Sequence, residues 1–504
     1  MVATKQKRAR VQNTGFVLGS IILSMTFLSA PVTVASISKN TLVPGQRSLN
    51  TQEFPLTSRI KVAFVRDGNL WVHWSDDPSF SNERQLTFSN PVTDPQWSVD
   101  GKWIAYKTLG ENLQGQPQRE LRVYNISTDR DLSVTQVPIN HSPIQYAWSP
   151  KTLWIAVCTD QKLHLHQVTG SRVLGQGPSL LGVHGFVWNP HGQSLTVSTW
   201  SADHSTDVQP TMELKVLSLN TSVKSLPKQA WLRLPSPLQA GSVRLWPHDV
   251  INGQWSEDGH WLALSLAPSP QWAPLTGMIC VVNPKNKSIQ PLSEGLPQTG
   301  WMGWSPDSHV LAWTAGGGTD LTRNKSLFWA IAPNFNPQAA PLGGSDGSMT
   351  WLNAHSLVVS RQTANPRIVP QHVPSTSVQH SAMMGLEKRT VQAGEPNLPS
   401  KTLDKPSQFF PRYLRHASLY GLTTMSKDSI RILTAPPPGN SDEYPVWLNG
   451  VQKLAWLRES STEATLYTAD SKVQNPHPWI RHVDLPEDEG HGISTLSIYC
   501  PKYS

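Results

Sequence analysis

The sequence predicts an all-β chain built from tandem four-stranded units, and three observations carry that reading. Tryptophan is over-used, with 21 residues against 9 tyrosines. A tryptophan-centred hairpin recurs along the body of the chain. Between the copies there is no helical periodicity, only short runs rich in strand formers bounded by turn residues.

The first 35 residues read as an export leader rather than as part of the fold. Lys5, Lys7, Arg8 and Arg10 precede an apolar run, FVLGSIILSMTFLSA, that Pro31 ends. Thr33-Val34-Ala35 then offers a cleavage point, the layout of a signal peptide. The same stretch is long enough to serve as an uncleaved anchor. Either reading places the body outside the cytoplasmic membrane. Residues 36–57 follow as a linker, and 58–504 as the repeat domain. Formal charge is +7, but removing the four leader cations leaves about +3. A nucleic-acid partner therefore has no support in the charge. Mean hydropathy of −0.33 excludes a polytopic membrane protein.

The repeat begins with PQWSVDGKWIAYKT and YAWSPKTLWIAVCTD, and continues with FVWNPHGQSLTVSTW, GQWSEDGHWLALSLA and MGWSPDSHVLAWTAG. MTWLNAHSLVVSRQ and PVWLNGVQKLAWLRE complete it. Its anchors are Trp97, Trp148, Trp188, Trp255, Trp304, Trp351 and Trp447, spaced by 51, 40, 67, 49, 47 and 96 residues. The shorter spacings suit a four-stranded blade of about 40–50 residues. In each copy, tryptophan ends a short strand and its ring fills the space between neighbouring sheets. The Ser-x-Asp-Gly segment is a turn, and the run after it is a strand buried on both faces. These features predict a β-propeller. RIKVAFVRDGNLWVHW near the start lacks a tryptophan hairpin, and ISTLSIYC near the end is a strand without a unit. Pairing the two closes the ring and gives eight blades; seven result if they do not pair.

The Trp-Ser-Pro-Asp-Gly-x-x-(Ile/Leu)-Ala pattern resembles the WD40-like repeats of TolB-type propellers over roughly residues 55–500. The copies at Trp351 and Trp447 depart from it, with Leu-Asn after the tryptophan. The resemblance implies the propeller fold; such repeats serve many roles, so it implies no single activity.

Links between the second and third strands are long: 109–120, 200–212, 267–277, 315–325 and, longest, 361–415. The last is rich in Pro, Gln, Ser, Thr and His and reads as disordered. Equivalent loops of a propeller emerge on one face, which makes that face the candidate for function. On it, Trp200, Asp203, His204, Asp207 and Trp272 are candidate ligand contacts. The alternative is tolerated surface decoration.

Other chemistry finds no matching pattern. Gly343-Gly344-Ser345-Asp346-Gly347 has the form of a hydrolase elbow, but no strand-to-helix context surrounds it, so a turn is expected. His164 and His166 would share a strand face, with no third metal ligand in view. Cys158 and Cys280 sit in apolar strands as small hydrophobes, and the three cysteines, Cys500 included, form no framework. No cofactor or metal is expected, and no catalytic set. The expected function is that of an exported, monomeric, non-catalytic propeller that binds a protein, peptide or cell-envelope polymer. A glycan-active hydrolase or lyase using the central channel is one alternative, and a structural part of an envelope or sporulation assembly is the other.

Overall fold

The computed structural model describes residues 60–501, except 75–81, 176–178, 202–210, 220–226, 269–276, 297–299, 318–322, 364–415, 487–494 and a few single positions. The leader, the linker and nearly all of the longest insertion fall outside these residues. All regular structure among the described residues is β, in antiparallel meanders. The innermost strands, in ring order, are Leu496–Tyr499, Val92–Trp97, Gln145–Trp148, Gly185–Trp188, Asp249–Trp255, Met302–Trp304, Ser345–Trp351 and Ser441–Leu448. Each starts a four-stranded blade, numbered here 1 to 8 in that order. Blades 5 and 6 touch at one extra rung, Gly295 opposite Ala315. A further hairpin, Leu238–Ala240 with Val243–Leu245, lies between blades 4 and 5 in sequence.

Blade 1 is the composite that the sequence suggested. Its order is Leu496–Tyr499, Lys61–Arg66, Asn69–Trp74 and Glu83–Gln85. Lys61 pairs with Tyr499 and Phe64 with Leu496, so the last strand of the chain closes the ring against the first. Eight blades, not seven, complete it.

The repeat residues act as expected, with one addition. Ser98 Oγ donates to Asp100 Oδ1 at 2.6 Å and accepts the Trp103 N–H at 3.1 Å. Ser256, Asp258 and Trp261 repeat the arrangement at 2.6 and 2.9 Å. Gly101 turns the chain at φ +61°, a conformation that glycine adopts without strain. The addition concerns the indoles, which fill space and also staple neighbouring innermost strands. Nε1 of Trp148, Trp188, Trp304 and Trp351 donates to the carbonyls of Gln96, Ala147, Gln254 and Gly303 in the preceding blade, at 2.9–3.2 Å. Trp97 does the same to Ser497 at 3.1 Å, across the ring closure. Trp255 and Trp447 keep the position, but their Nε1 atoms are buried without a partner.

The core lies between adjacent sheets. One cluster joins Leu214 of blade 4 with Leu262, Leu264 and Cys280 of blade 5. Another joins Val62 and Phe64 of blade 1 with Leu457 and Ile480 of blade 8. Cys158 and Cys280 are buried and free, as their apolar contexts predicted. Burial pushes the Cys158 thiol up to about 12, with Asp249 and Asp160 adding to the effect, so it stays neutral.

The hydrolase-like motif is corrected in one respect. Ser345, Asp346 and Gly347 do not form a turn; they open the innermost strand of blade 7. Gly344 beside them is required, because a Cβ there would lie 2.2 Å from the Gln362 carbonyl.

Candidate functional site

In a meander, the second-to-third connections and the links between blades leave from the same end of every blade. The extended connections after Glu111, Trp200, Ala267, Ala315 and Gln362 therefore share one face with the starts of all the innermost strands. The first of them is partly strand rather than loop. Pairing continues from Leu109 opposite Arg119 to Glu111 opposite Pro117, so a hairpin stands out from the blade. Arg119 pins it through the Ile139 and His141 carbonyls at 2.6 and 2.9 Å.

Of the predicted ligand contacts, Asp203, His204, Asp207 and Trp272 lie outside the described residues. Trp200 ends the second strand of blade 4, and its ring packs edge-on against two histidines. The centroids are 5.7 Å from His184 and 5.0 Å from His248, and the two imidazoles are 6.2 Å apart. His184 and His248 directly precede the innermost strands of blades 4 and 5, which sets both at the rim of this face. Gly185 follows His184 and has no room for a side chain, since a Cβ would meet the Val250 carbonyl at 2.4 Å. The two strands thus approach closely. Burial and the neighbouring His248 lower the His184 pKa. His164 and His166 do stack on one strand face, at 6.2 Å, yet no group of three metal-ligating side chains exists among the described residues.

Several blades pair an aspartate of the innermost strand with a cation of the second. In blade 7 the innermost strand carries Asp346, and directly opposite it on the second strand is Arg361. Nε and Nη2 of Arg361 hold the two carboxylate oxygens at 2.5 and 3.0 Å. Blade 8 repeats this with Asp442 and Arg458 at 2.7 and 2.9 Å. Blade 2 has Asp94 with Lys107 at 2.9 Å. Every one of these cations lies by an aromatic ring: Arg361 over Tyr420, Arg458 over Tyr467 and Lys107 over Tyr146. The innermost strands of blades 7 and 8 bulge between the pair and the tryptophan, and Asp94 lies within the bulge of blade 2. In blade 5 the corresponding rung is Val250 opposite Leu266, and Asp249, one residue further out, stands opposite Ala267. Oδ1 of Asp249 is buried with no hydrogen-bond partner.

The consequence is electrostatic. Burial pushes the Asp249 carboxyl up to about 6, opposed only by the Val250 N–H that donates to it. The folded protein therefore holds this proton more tightly than the unfolded chain does. That stabilising contribution is complete below the ordinary carboxyl range and is lost as pH rises through about 6. Asp249→Asn is expected to stabilise the protein by about 1–3 kcal/mol at pH 8 and to change little near pH 4. Denaturant unfolding at the two pH values checks this, and an equal effect at both would contradict it.

No family model matches the chain, and no curated protein does. Solved structures do. TolB from Acinetobacter baumannii is 15% identical with a TM-score of 0.31, and the match covers 56% of this chain and 64% of that one. The chain therefore spans somewhat less than two thirds of that TolB. The dihydro-heme d1 dehydrogenase NirN is 14% identical with a TM-score of 0.48, covering 88% of this chain and 75% of that one. Oligogalacturonate lyase from Vibrio parahaemolyticus is 11% identical with a TM-score of 0.40, covering 81% and 96%. In architecture the chain is a β-propeller. At these identities the likeness, TolB included, concerns the fold alone.

Sequence reasoning missed Asp249, His184 and His248. A signal was present: TDPQW, SDGSMTW and SDEYPVW each carry an aspartate ahead of the tryptophan, with a Lys or Arg ten or eleven residues beyond it. HDVINGQW carries its aspartate one residue further from the tryptophan than SDGSMTW and SDEYPVW do, outside that register.

Proposed function

We propose that this chain is an exported, non-catalytic propeller that binds a protein, peptide or cell-envelope polymer through the loops of one face. The observation that supports it is that the strands flanking the extended connections end at the face where Trp200, His184 and His248 meet. Apolar side chains on the same links add to it: Trp246 is 55% exposed and Leu181 63%. Exposed aromatic and aliphatic groups beside a polar cluster suit a binding surface.

The test is capture from native envelope extract, using the full chain and a version lacking residues 364–415. The full chain is expected to retain a partner that the deleted version loses. A partner held equally by both would move binding off this face.

A further inference from the structure

The seam between blades 8 and 1 differs in chemistry from the others. At five seams an indole donates to a backbone carbonyl, an acceptor that does not titrate. Between blades 8 and 1 the indole belongs to Trp479, on the outermost strand of blade 8, His477–Val483, and its acceptor is an imidazole. Nε1 of Trp479 donates to Nε2 of His73 at 3.0 Å, and the rings meet edge-on with centroids 5.8 Å apart. His73 lies on the third strand of blade 1, Asn69–Trp74, and is 0% exposed. Accepting the indole N–H fixes the imidazole as neutral, with its proton on Nδ1, and Nδ1 is buried without a partner. Two further side chains bridge the seam. Arg66 donates to the Arg481 and His482 carbonyls at 2.6 and 3.2 Å, and Asp484 accepts the N–H groups of Asp67 and Gly68 at 2.9 and 2.8 Å. Within blade 8 the strand His477–Val483 is paired unevenly, since its register against Ala464–Asp470 shifts twice.

We infer that this seam is an acid-released latch, in which protonation of His73 turns its acceptor nitrogen into a donor and parts the outermost strand of blade 8 from blade 1. An imidazolium carries a hydrogen on both nitrogens, so Nε2 would face the indole N–H donor to donor. A full charge would also lie in an apolar site, beside the cluster that holds Val62, Phe64 and Ile480. The charged neighbours do not offset this. Glu83 stands directly opposite His73 and favours the proton, but its Oε2 is held by Arg66 Nη1 at 2.6 Å, and Arg66 opposes the proton. Lys61 on the second strand bonds the Gly101 carbonyl instead. On the strand from blade 8, Arg481 and His482 are exposed, His482 meets Glu463, and His477 is half-buried. Burial is the largest influence and lowers the His73 pKa to about 4. The parted state therefore takes up a proton that the closed state refuses. Closure is fully favoured above the ordinary imidazole range and loses ground as pH falls from 6.5 toward about 4.

The test is amide hydrogen exchange of the full chain, read by mass spectrometry at pH 7 and pH 5 and corrected for the intrinsic pH dependence of exchange. The strand Met302–Trp304, whose indole bonds the Gln254 carbonyl, serves as the reference seam. Opening of His477–Val483 is expected to rise about twentyfold from pH 7 to pH 5, to reverse on return to pH 7, and to leave the reference strand unchanged. His73→Gln keeps an acceptor that does not titrate, so it should retain protection at pH 7 and lose the pH response. Trp479→Phe removes the donor and should speed exchange of the strand at both pH values. Asp484→Asn should keep the response. No rise at pH 5, or an equal rise in both strands, overturns the inference. So does a response that survives His73→Gln, or one that disappears in Asp484→Asn, which would assign the latch to that carboxylate. Exchange of the His73 ring C–H between the two nitrogens needs no substitution and reads its titration in the parent chain. A midpoint well below those of the exposed histidines is expected. A midpoint in the ordinary imidazole range, with His477–Val483 still protected there, overturns the latch.

Discussion

Ending the chain at residue 486 is expected to abolish cooperative folding, or to cost more than about 5 kcal/mol, beyond what single substitutions usually cause. The deleted segment contains Leu496–Tyr499, the innermost strand of blade 1. Four backbone rungs to Lys61–Phe64 go with it. Trp97 loses the carbonyl that its Nε1 bonds at 3.1 Å, and its ring loses Tyr499, 6.1 Å away. Lys61 is 5% exposed and lies 5.4 Å from the Tyr499 ring, with its ammonium bonded to the Gly101 carbonyl at 2.8 Å. Removing the ring lets water reach both. The larger loss is topological: a closed ring becomes an open row whose first blade presents an unpaired strand edge, a template for association with other chains. Thermal unfolding and light scattering read the two consequences. A synthetic peptide covering residues 487–504, added in trans, should restore part of the midpoint. Unchanged unfolding after truncation would show that the closure seals the ring without stabilising it.

What could be read from the sequence, and what could not, follows from the range of the interactions. The tryptophan hairpins were legible because each is local: tryptophan, turn serine, turn aspartate and glycine lie within a few residues of one another. The closing strand was legible by subtraction, since one hairpin lacked an inner strand and one strand lacked a hairpin. The indole staples were not, because the acceptor is a backbone carbonyl about 41–52 residues back and leaves no mark in residue type. The standing hairpin around residues 109–119 hid for a related reason. Its described side chains are mostly exposed, so no apolar alternation shows a pairing that the backbone carries. Trp200 was singled out as an isolated aromatic in a link, and its histidine neighbours come from two blades, 16 and 48 residues away. Asp249 was the hardest to see. Its carboxylate oxygen is buried without a partner through packing of the folded blades, and that leaves no mark in residue type.

The other large effect falls on the buried ion pair of blade 7. Arg361→Met is expected to destabilise the protein by about 3–5 kcal/mol, the usual cost of stranding a buried charge. Asp346 and Arg361 are 2% and 3% exposed, so neither recovers water when its partner is removed. Asp346 would keep only neutral help, such as the Leu327 N–H that donates to Oδ2 at 2.7 Å. The double variant Asp346→Leu with Arg361→Met removes both charges and should recover most of the loss. As a comparison, Arg84→Ala breaks a surface pair in which Asp129 is 58% exposed, and should cost less than about 1 kcal/mol. Denaturant midpoints of the four proteins decide the matter. A loss for Arg361→Met no larger than that for Arg84→Ala would mean that blade 7 relaxes to hydrate Asp346.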